Sequence, residues 1–377
     1  MNTVYLNRTA AFLPNLPIDN DTMESVLGVA GDSPSRLRRR ILSSNGIQSR
    51  YYAIDPTTRQ TTHSCAELAA NAIEGLFDNP QEKQSVSLLA CASSYPDQTM
   101  PGHAVMVQGL LKNFQPLEAV SLSGVCVAGM AAMKYAYNAV KSGEHNMAIS
   151  CAAETASAIM RKENFSLSQQ EDETNFHPTH AFNRDFLRWM LSDGAGAFLL
   201  SNKAISGSLK VWWIDLISYA NEMPACMYAG GEFVGDAFLG WKEINNQNKH
   251  IDGVMNVKQN VKLLNDNVIK YTVEKAFSGS LKKHALTPDE VAYFLPHYSS
   301  QFFRQKVYDG LKNIGFEIPF EKWYTNLPIR GNTGSASIYI MLDEFLKTHD
   351  LKIGEKILCY IPESGRFSSS FMLLEKV

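Results

Sequence analysis

Short apolar runs recur along this chain, and most of them end beside a side chain with chemistry to offer. Residues 85–92 (SVSLLACA) run into SSYPD, 120–124 lead to Cys126, 146–153 (NMAISCAA) end at Glu154, and 291–295 run through a proline to His297. Two more, 196–200 and 357–361, adjoin Ser192-Asp193-Gly194 and the loop 362–366. A continuous apolar run this short reads as a strand buried on both faces. Helical patterns stand between the runs at 64–76, 128–142, 299–314 and 334–348, the first opened by Ser64 and Glu67 at capping-box spacing. Alternation of this kind implies an α/β architecture, which places its sites just past strand ends and at helix starts. The two halves read as degenerate copies. We divide the chain into 1–200 and 201–377, with 161–190 as a polar and aromatic inserted excursion able to cover a pocket.

Composition removes several function classes. With 45% hydrophobic and 19% charged residues, the 377-residue chain fills a sizeable core, and a net charge of -3 offers nucleic acid no basic field. No apolar stretch approaches the ~18 residues a membrane span needs. The first residues lack a secretory pattern, so a cytoplasmic location with reduced thiols is expected for the six cysteines, which form neither C-x-x-C pairs nor a zinc spacing. His177 and His180 make an H-x-x-H without further ligands nearby, and no phosphate-binding loop is present. The basic cluster Arg36, Arg38, Arg39 and Arg40 reads either as a solvated helix face or as a dock for an acidic carrier.

Cys126 lies in SGVCVAGMAAMKYAYNAVKSG, where a small-residue turn delivers it to the start of a long helix. Unsatisfied N–H groups there carry partial positive charge, which favours thiolate and hence nucleophilic attack. The alternative is a small buried hydrophobe, the common fate of a free cysteine. His297 and Asn332 each stand at an element end, Asn332 within RGNTGSAS. A Cys-His-Asn set serves hydrolysis or acyl transfer, and the residues alone do not choose between them.

Five segments in order make a more specific likeness. SNGIQSRYYA at 44–53, the Cys126 helix, LSDGAGAFLL at 191–200, LPHYSS at 295–300 and RGNTGSAS at 330–337 are similar to matching segments of the ketosynthase III family. That resemblance implies a thiolase-like five-layered αβαβα fold with internal duplication, and a homodimer. It implies that Cys126 takes an acyl group from a thioester, and that His297 and Asn332 hydrogen-bond the carbonyl oxygen of a second thioester. It also implies an oxyanion hole formed by the backbone N–H groups of Cys126 and Gly365. No cofactor is expected beyond the phosphopantetheine of acyl carrier protein, or coenzyme A, that delivers the acyl groups.

The departures point to a narrower group. Ser300 replaces the family's second asparagine, Arg40 stands near the family's adenine-stacking aromatic, and PESGRFS replaces a glycine-rich loop, bringing Glu363 and Arg366 beside the oxyanion hole. An acyl-carrier-protein donor is therefore favoured over coenzyme A. The H-Y-S-S and P-E-S-G-R-F-S segments resemble ketosynthases that make dialkylresorcinols and cyclohexanediones, which implies joining of a β-ketoacyl and an α,β-unsaturated acyl chain followed by ring closure. Ring closure needs a further base, for which Glu154 is the candidate, with a purely structural role as its alternative. An ordinary ketosynthase III acting on malonyl-carrier protein, a Cys-His-Asn thioester hydrolase and a non-enzymatic partner of a condensing enzyme are the competing readings.

Overall fold

The computed structural model describes residues 1–30, 37–165, 185–246 and 253–377. Its principal elements are β1 (Tyr5–Phe12), α1 (Cys65–Glu74), β2 (Leu88–Ser93), β3 (Glu118–Ser123), α2 (Ala128–Ser142), β4 (Met147–Glu154), β5 (Gly194–Ser201), β6 (Leu209–Ser218), α3 (Ala276–Lys283), β7 (Val291–Pro296), α4 (Arg304–Asn313), α5 (Ser337–Thr348), β8 (Lys356–Pro362) and β9 (Ser368–Lys376). The expected capping box is present: the Glu67 N–H donates to Ser64 Oγ at 3.2 Å, and the Ser64 N–H donates to Glu67 Oε2 at 2.8 Å.

The nine strands run β7-β8-β9-β6-β1-β5-β4-β2-β3 in one hydrogen-bonded order. Its two ends repeat a single plan. In the first half β2 and β4 pair in parallel, β4 and β5 antiparallel, and β5 and β1 antiparallel. In the second half β7 and β8 pair in parallel, β8 and β9 antiparallel, and β9 and β6 antiparallel. The counterpart of β3 is reduced to one parallel bridge between Phe294 and Trp323. The strands of the two halves meet edge to edge at the pairs Tyr5–Lys210 and Leu6–Leu209.

Side-chain alternation shows how the layers stack. In β2, Leu88, Ala90 and Ala92 face a cluster with α2 and α5, whereas Leu89 and Cys91 face α1. In β8, Ile357, Cys359 and Ile361 join that same α2 and α5 cluster, whereas Leu358 and Tyr360 pack with Val273, Phe277 and Val307 beyond the other face. The order of layers is therefore helix, sheet, paired central helices, sheet, helix. The central pair packs backbone to backbone. A Cβ added at Gly129 of α2 would come within 2.3 Å of the Ser335 carbonyl, and Tyr339 of α5 donates its hydroxyl to the Gly129 carbonyl at 2.7 Å.

Two expected helices start later than their patterns. A 3₁₀ turn, Gln301–Phe303, precedes α4, and another, Gly334–Ala336, precedes α5.

Candidate active site

The duplicated plan brings the starts of α2 and α5 together. The turn between β3 and α2 carries Cys126, which is 8% exposed. Burial pushes its thiol well above the usual range, and the carboxylates of Glu363 and Glu154 push it further. This corrects the expectation of a helix start that favours thiolate. The flanking amides of Val125 and Val127 donate to Glu363 Oε2 at 3.1 and 3.3 Å, so a negative group already occupies that positive end.

His297 follows β7, its N–H held by the Tyr360 carbonyl at 2.8 Å. Burial pushes its imidazole down to about 4, so at neutral pH the ring is uncharged, and one ring nitrogen carries a proton to donate. Asn332 precedes α5 and is gripped by its backbone, donating to the Met190 carbonyl at 3.0 Å and accepting from the Ser192 N–H at 2.8 Å. Its Oδ1 accepts the Gly334 N–H at 3.0 Å, which fixes the carboxamide with its amino group as the free donor.

Glu154 ends β4 and is 3% exposed. Its Oε1 accepts from the N–H groups of Ser94 and Ser335 at 3.0 and 3.1 Å and from the Ser335 hydroxyl at 2.5 Å, and its Oε2 accepts from the Ser94 hydroxyl at 2.6 Å. Burial raises its pKa, and these hydrogen bonds oppose the rise. Gly334 lies against it at φ 53°, where a Cβ would sit 3.1 Å from the carboxylate. Gly365 is tied down through its carbonyl, which accepts the Cys226 N–H at 2.8 Å. A Cβ at Gly365 would meet Glu363 Oε1 at 3.0 Å and Val125 Cγ2 at 3.2 Å, so its backbone lies against the Cys126 turn.

Two cavities meet at Cys126, enclosing about 780 and 420 Å³ of empty space with their mouths included. The larger is lined by Glu154 and Asn332 and by apolar side chains such as Ile159, Met190, Leu191 and Val257. The smaller is lined by His297 with Leu264, Val268, Phe303 and Val307. Ser299 and Ser364 line both.

Sequence reasoning missed the second cavity and much of the wall of the first. Met227, Tyr228 and Gln259 line the larger cavity from two two-residue strands, Met227–Tyr228 and Lys258–Gln259, too short to leave a periodic signal. The excursion read as a cover, 161–190, contributes Met190 among its described residues; His177 and His180 lie outside the described residues. Ser300 works in the scaffold, accepting the Phe302 N–H at 3.2 Å and donating to the Ser44 carbonyl at 3.3 Å. Asp193 braces the 44–53 segment, accepting the Ala53 N–H at 2.6 Å, and burial raises its carboxyl to about 6.

Residues 281–361 match the family 3-oxoacyl-(acyl-carrier-protein) synthase III C terminal, and residues 116–204 match the family beta-ketoacyl synthase, N-terminal domain. The beta-ketoacyl-(acyl-carrier-protein) synthase III of Clostridium acetobutylicum is 24% identical over 95% of this chain and 94% of its own. These matches, one in each half of the chain, support the ketosynthase III family for it. Its fold is thiolase-like, and the same matches support a condensing enzyme of that type. Among solved structures the chain is similar to the tetronic acid condensing enzyme AbyA1, with a TM-score of 0.76 and 19% identity over 99% of this chain and 100% of that one. It is also similar to OleA of Xanthomonas campestris (TM-score 0.73, 17% identity, 99% and 98% covered) and to 3-oxoacyl-(acyl-carrier-protein) synthase III of Aquifex aeolicus VF5 (0.70, 20%, 99% and 99%). Among the described residues no helix is long and apolar enough to cross a membrane.

Proposed function

We propose that this ketosynthase loads an acyl group on Cys126, joins it to a second long acyl thioester and closes the product into a ring. The observation that carries the reading is the junction at Cys126 of two mostly apolar cavities, one with Asn332 and Glu154 and one with His297. Two chains have separate places to lie while their reacting carbons meet at one sulfur, which is the positioning that bimolecular condensation needs.

In the loading step the Cys126 sulfur attacks a thioester carbonyl. The N–H groups of Cys126 and Gly365 receive the oxyanion, and the departing pantetheine thiolate takes up the proton lost by Cys126. The second thioester places its carbonyl oxygen against His297 and the Asn332 amino group, which stabilise its enolate. With a β-ketoacyl and an α,β-unsaturated acyl chain, the α-carbon of the β-ketoacyl unit gives up a proton and adds to the β-carbon of the enoyl chain held on Cys126, and the enolate so formed takes up a proton at its own α-carbon. The γ-carbon of the ketoacyl unit then loses a proton, for which Glu154 is the candidate acceptor, and attacks the other chain's thioester carbonyl. That expels the Cys126 thiol and leaves a cyclohexane-1,3-dione whose ring still bears the thioester carboxyl of the β-ketoacyl unit, which hydrolysis of that thioester releases from the carrier.

Carrier protein is the favoured source of both chains. Arg39 and Arg40 are exposed on the helix Arg38–Asn45, which packs on the 3₁₀ turn after His297, and they offer charge to an acidic carrier beside the smaller cavity. A second copy of the chain would pair along β3, the last strand of the sheet.

The test is a product assay by mass spectrometry with β-ketoacyl- and enoyl-carrier protein together, and separately with malonyl-carrier protein and a saturated acyl donor. A cyclic dione from the first pair supports the reading. Turnover with the second pair alone replaces it by ordinary decarboxylative condensation, and release of free acid alone replaces it by thioester hydrolysis.

A further inference from the structure

The two halves of the fold each carry a glutamate at the end of corresponding strands, β4 and β8, and each glutamate reaches into the other half. Glu154, at the end of β4 in the first half, holds the Ser335 amide at the start of α5 in the second. Glu363 directly follows β8, the counterpart of β4. It holds the Val125 and Val127 amides at the start of α2 in the first half. The match extends to the glycines: a Cβ added at Gly334 of the second half would lie 3.1 Å from the Glu154 carboxylate, and one added at Gly124 of the first half would lie 3.7 Å from Glu363 Oε2.

We propose that Glu363 is a positioning residue for the nucleophile, the second-half counterpart of Glu154, which clamps the turn presenting Cys126 and cancels the positive end of α2 beside it. This rests on Cys126 being the nucleophile. The clamp grips the amides on either side of Cys126 and leaves the Cys126 amide out of its hold, so the turn is fixed without spending the N–H assigned to the oxyanion hole. Among the described residues no cationic side chain pairs with Glu363. Its neighbour Arg366 is turned away, donating to the carbonyls of Ala220 at 2.6 Å and Met223 at 2.9 Å. Among the described residues the carboxylates that act on the Cys126 thiol are Glu363 and Glu154, and the other titratable groups lining its cavities are the uncharged His297 and the tyrosines Tyr95, Tyr228, Tyr298 and Tyr360. Burial holds the Glu363 carboxyl above its ordinary range, and the bonds from Val125, Val127 and Ser368 oppose that rise. A charged carboxylate so placed disfavours a second negative charge on the sulfur. The thiol is kept protonated between turnovers, and attack requires its proton to leave with the departing thiol.

The experiment follows iodoacetamide labelling of the Cys126 peptide by mass spectrometry across a pH series, in the full-length protein and its variants. Glu363→Gln, which keeps the shape and removes the charge, lowers the midpoint of labelling by about one pH unit. Glu363→Asp, which keeps the charge and shortens the reach, leaves the midpoint near that of the parent. An unchanged midpoint in a folded Glu363→Gln protein overturns the proposal. So does a fall in Glu363→Asp as large as in Glu363→Gln, because geometry rather than charge would then be responsible. Should Glu363→Gln fail to fold, Glu363→Asp is compared with the parent for acyl loading, where a slower loading rate at an unchanged midpoint supports the clamp and an unchanged rate overturns it. Failure of the nucleophile assignment is a separate result, since it appears as an acyl adduct that survives Cys126→Ala.

Discussion

Glu154 and Glu363 occupy matching places in a duplicated fold, yet their surroundings differ. Glu154 is held by two amides and two hydroxyls and lines the larger cavity. Glu363 is held by two amides with help from Ser368, and it is absent from the lining of either cavity. The carboxylate that lines a cavity is the more deeply buried and more heavily bonded one, and the one that lines neither cavity sits closer to the Cys126 turn. Duplication supplies two similar brackets; the half in which each ends decides whether it braces the turn of Asn332 or that of Cys126. A carboxylate that faces substrate while accepting four hydrogen bonds can accept a proton only by giving up one of them, which sets the demand on any base role for Glu154.

The largest effect that breaks the symmetry comes at the two helix starts. Cys126→Ala eliminates the covalent acyl adduct, read by intact mass. Asn332→Ala keeps the adduct and slows condensation by roughly 10²–10³-fold, the usual consequence of losing one preorganised donor to an oxyanion. Equal loss of loading in both variants would mean that the two helix starts do not divide the work.

The brackets themselves come next. Glu154→Ala leaves two amides and two hydroxyls without their acceptor and costs roughly 4 kcal/mol of stability by denaturant titration, at about 1 kcal/mol for each unpaired buried donor. Glu154→Gln keeps acyl loading and loses the cyclic product. Unchanged ring formation in a folded Glu154→Gln protein would confine Glu154 to bracing Asn332.

Much of this was legible in the chain because strands buried on both faces cannot hide their composition. SVSLLACA, NMAISCAA and 357–361 became β2, β4 and β8, and Cys126, His297 and Asn332 fell at element ends for the same reason. Helix starts were less legible. The patterns beginning at 299 and 334 open as 3₁₀ turns because Ser300 takes the Phe302 N–H and Glu154 takes the Ser335 N–H. The protonation of Cys126 was read with the wrong sign, since local sequence shows a helix start but not the carboxylate that arrives there from 238 residues away. Tertiary crossing of the halves, rather than propensity, placed that group.

The smallest effect is the pH dependence of the brackets. Glu154 and Glu363 are both raised in the folded state by burial. A carboxyl whose folded pKa lies above its unfolded value binds more protons folded than unfolded, so its stabilisation is complete below the unfolded pKa and is lost as pH rises through the folded one. Replacing the carboxyl by a carboxamide removes that loss. Chemical denaturation of the parent and Glu363→Gln should give a stability difference that shifts in favour of the variant as pH rises from about 4.5, the ordinary glutamate range, toward neutrality. The same comparison for Glu154→Gln carries a second contribution of opposite consequence, because the two serine hydroxyls that donate to Glu154 must reorient against an amide N–H. The slope against pH should have the same sign for both variants, while the offset at any one pH should favour Glu363→Gln. A slope of opposite sign at Glu363 would mean that its amide bonds outweigh its burial, and that the nucleophile turn is held by a fully favourable charge.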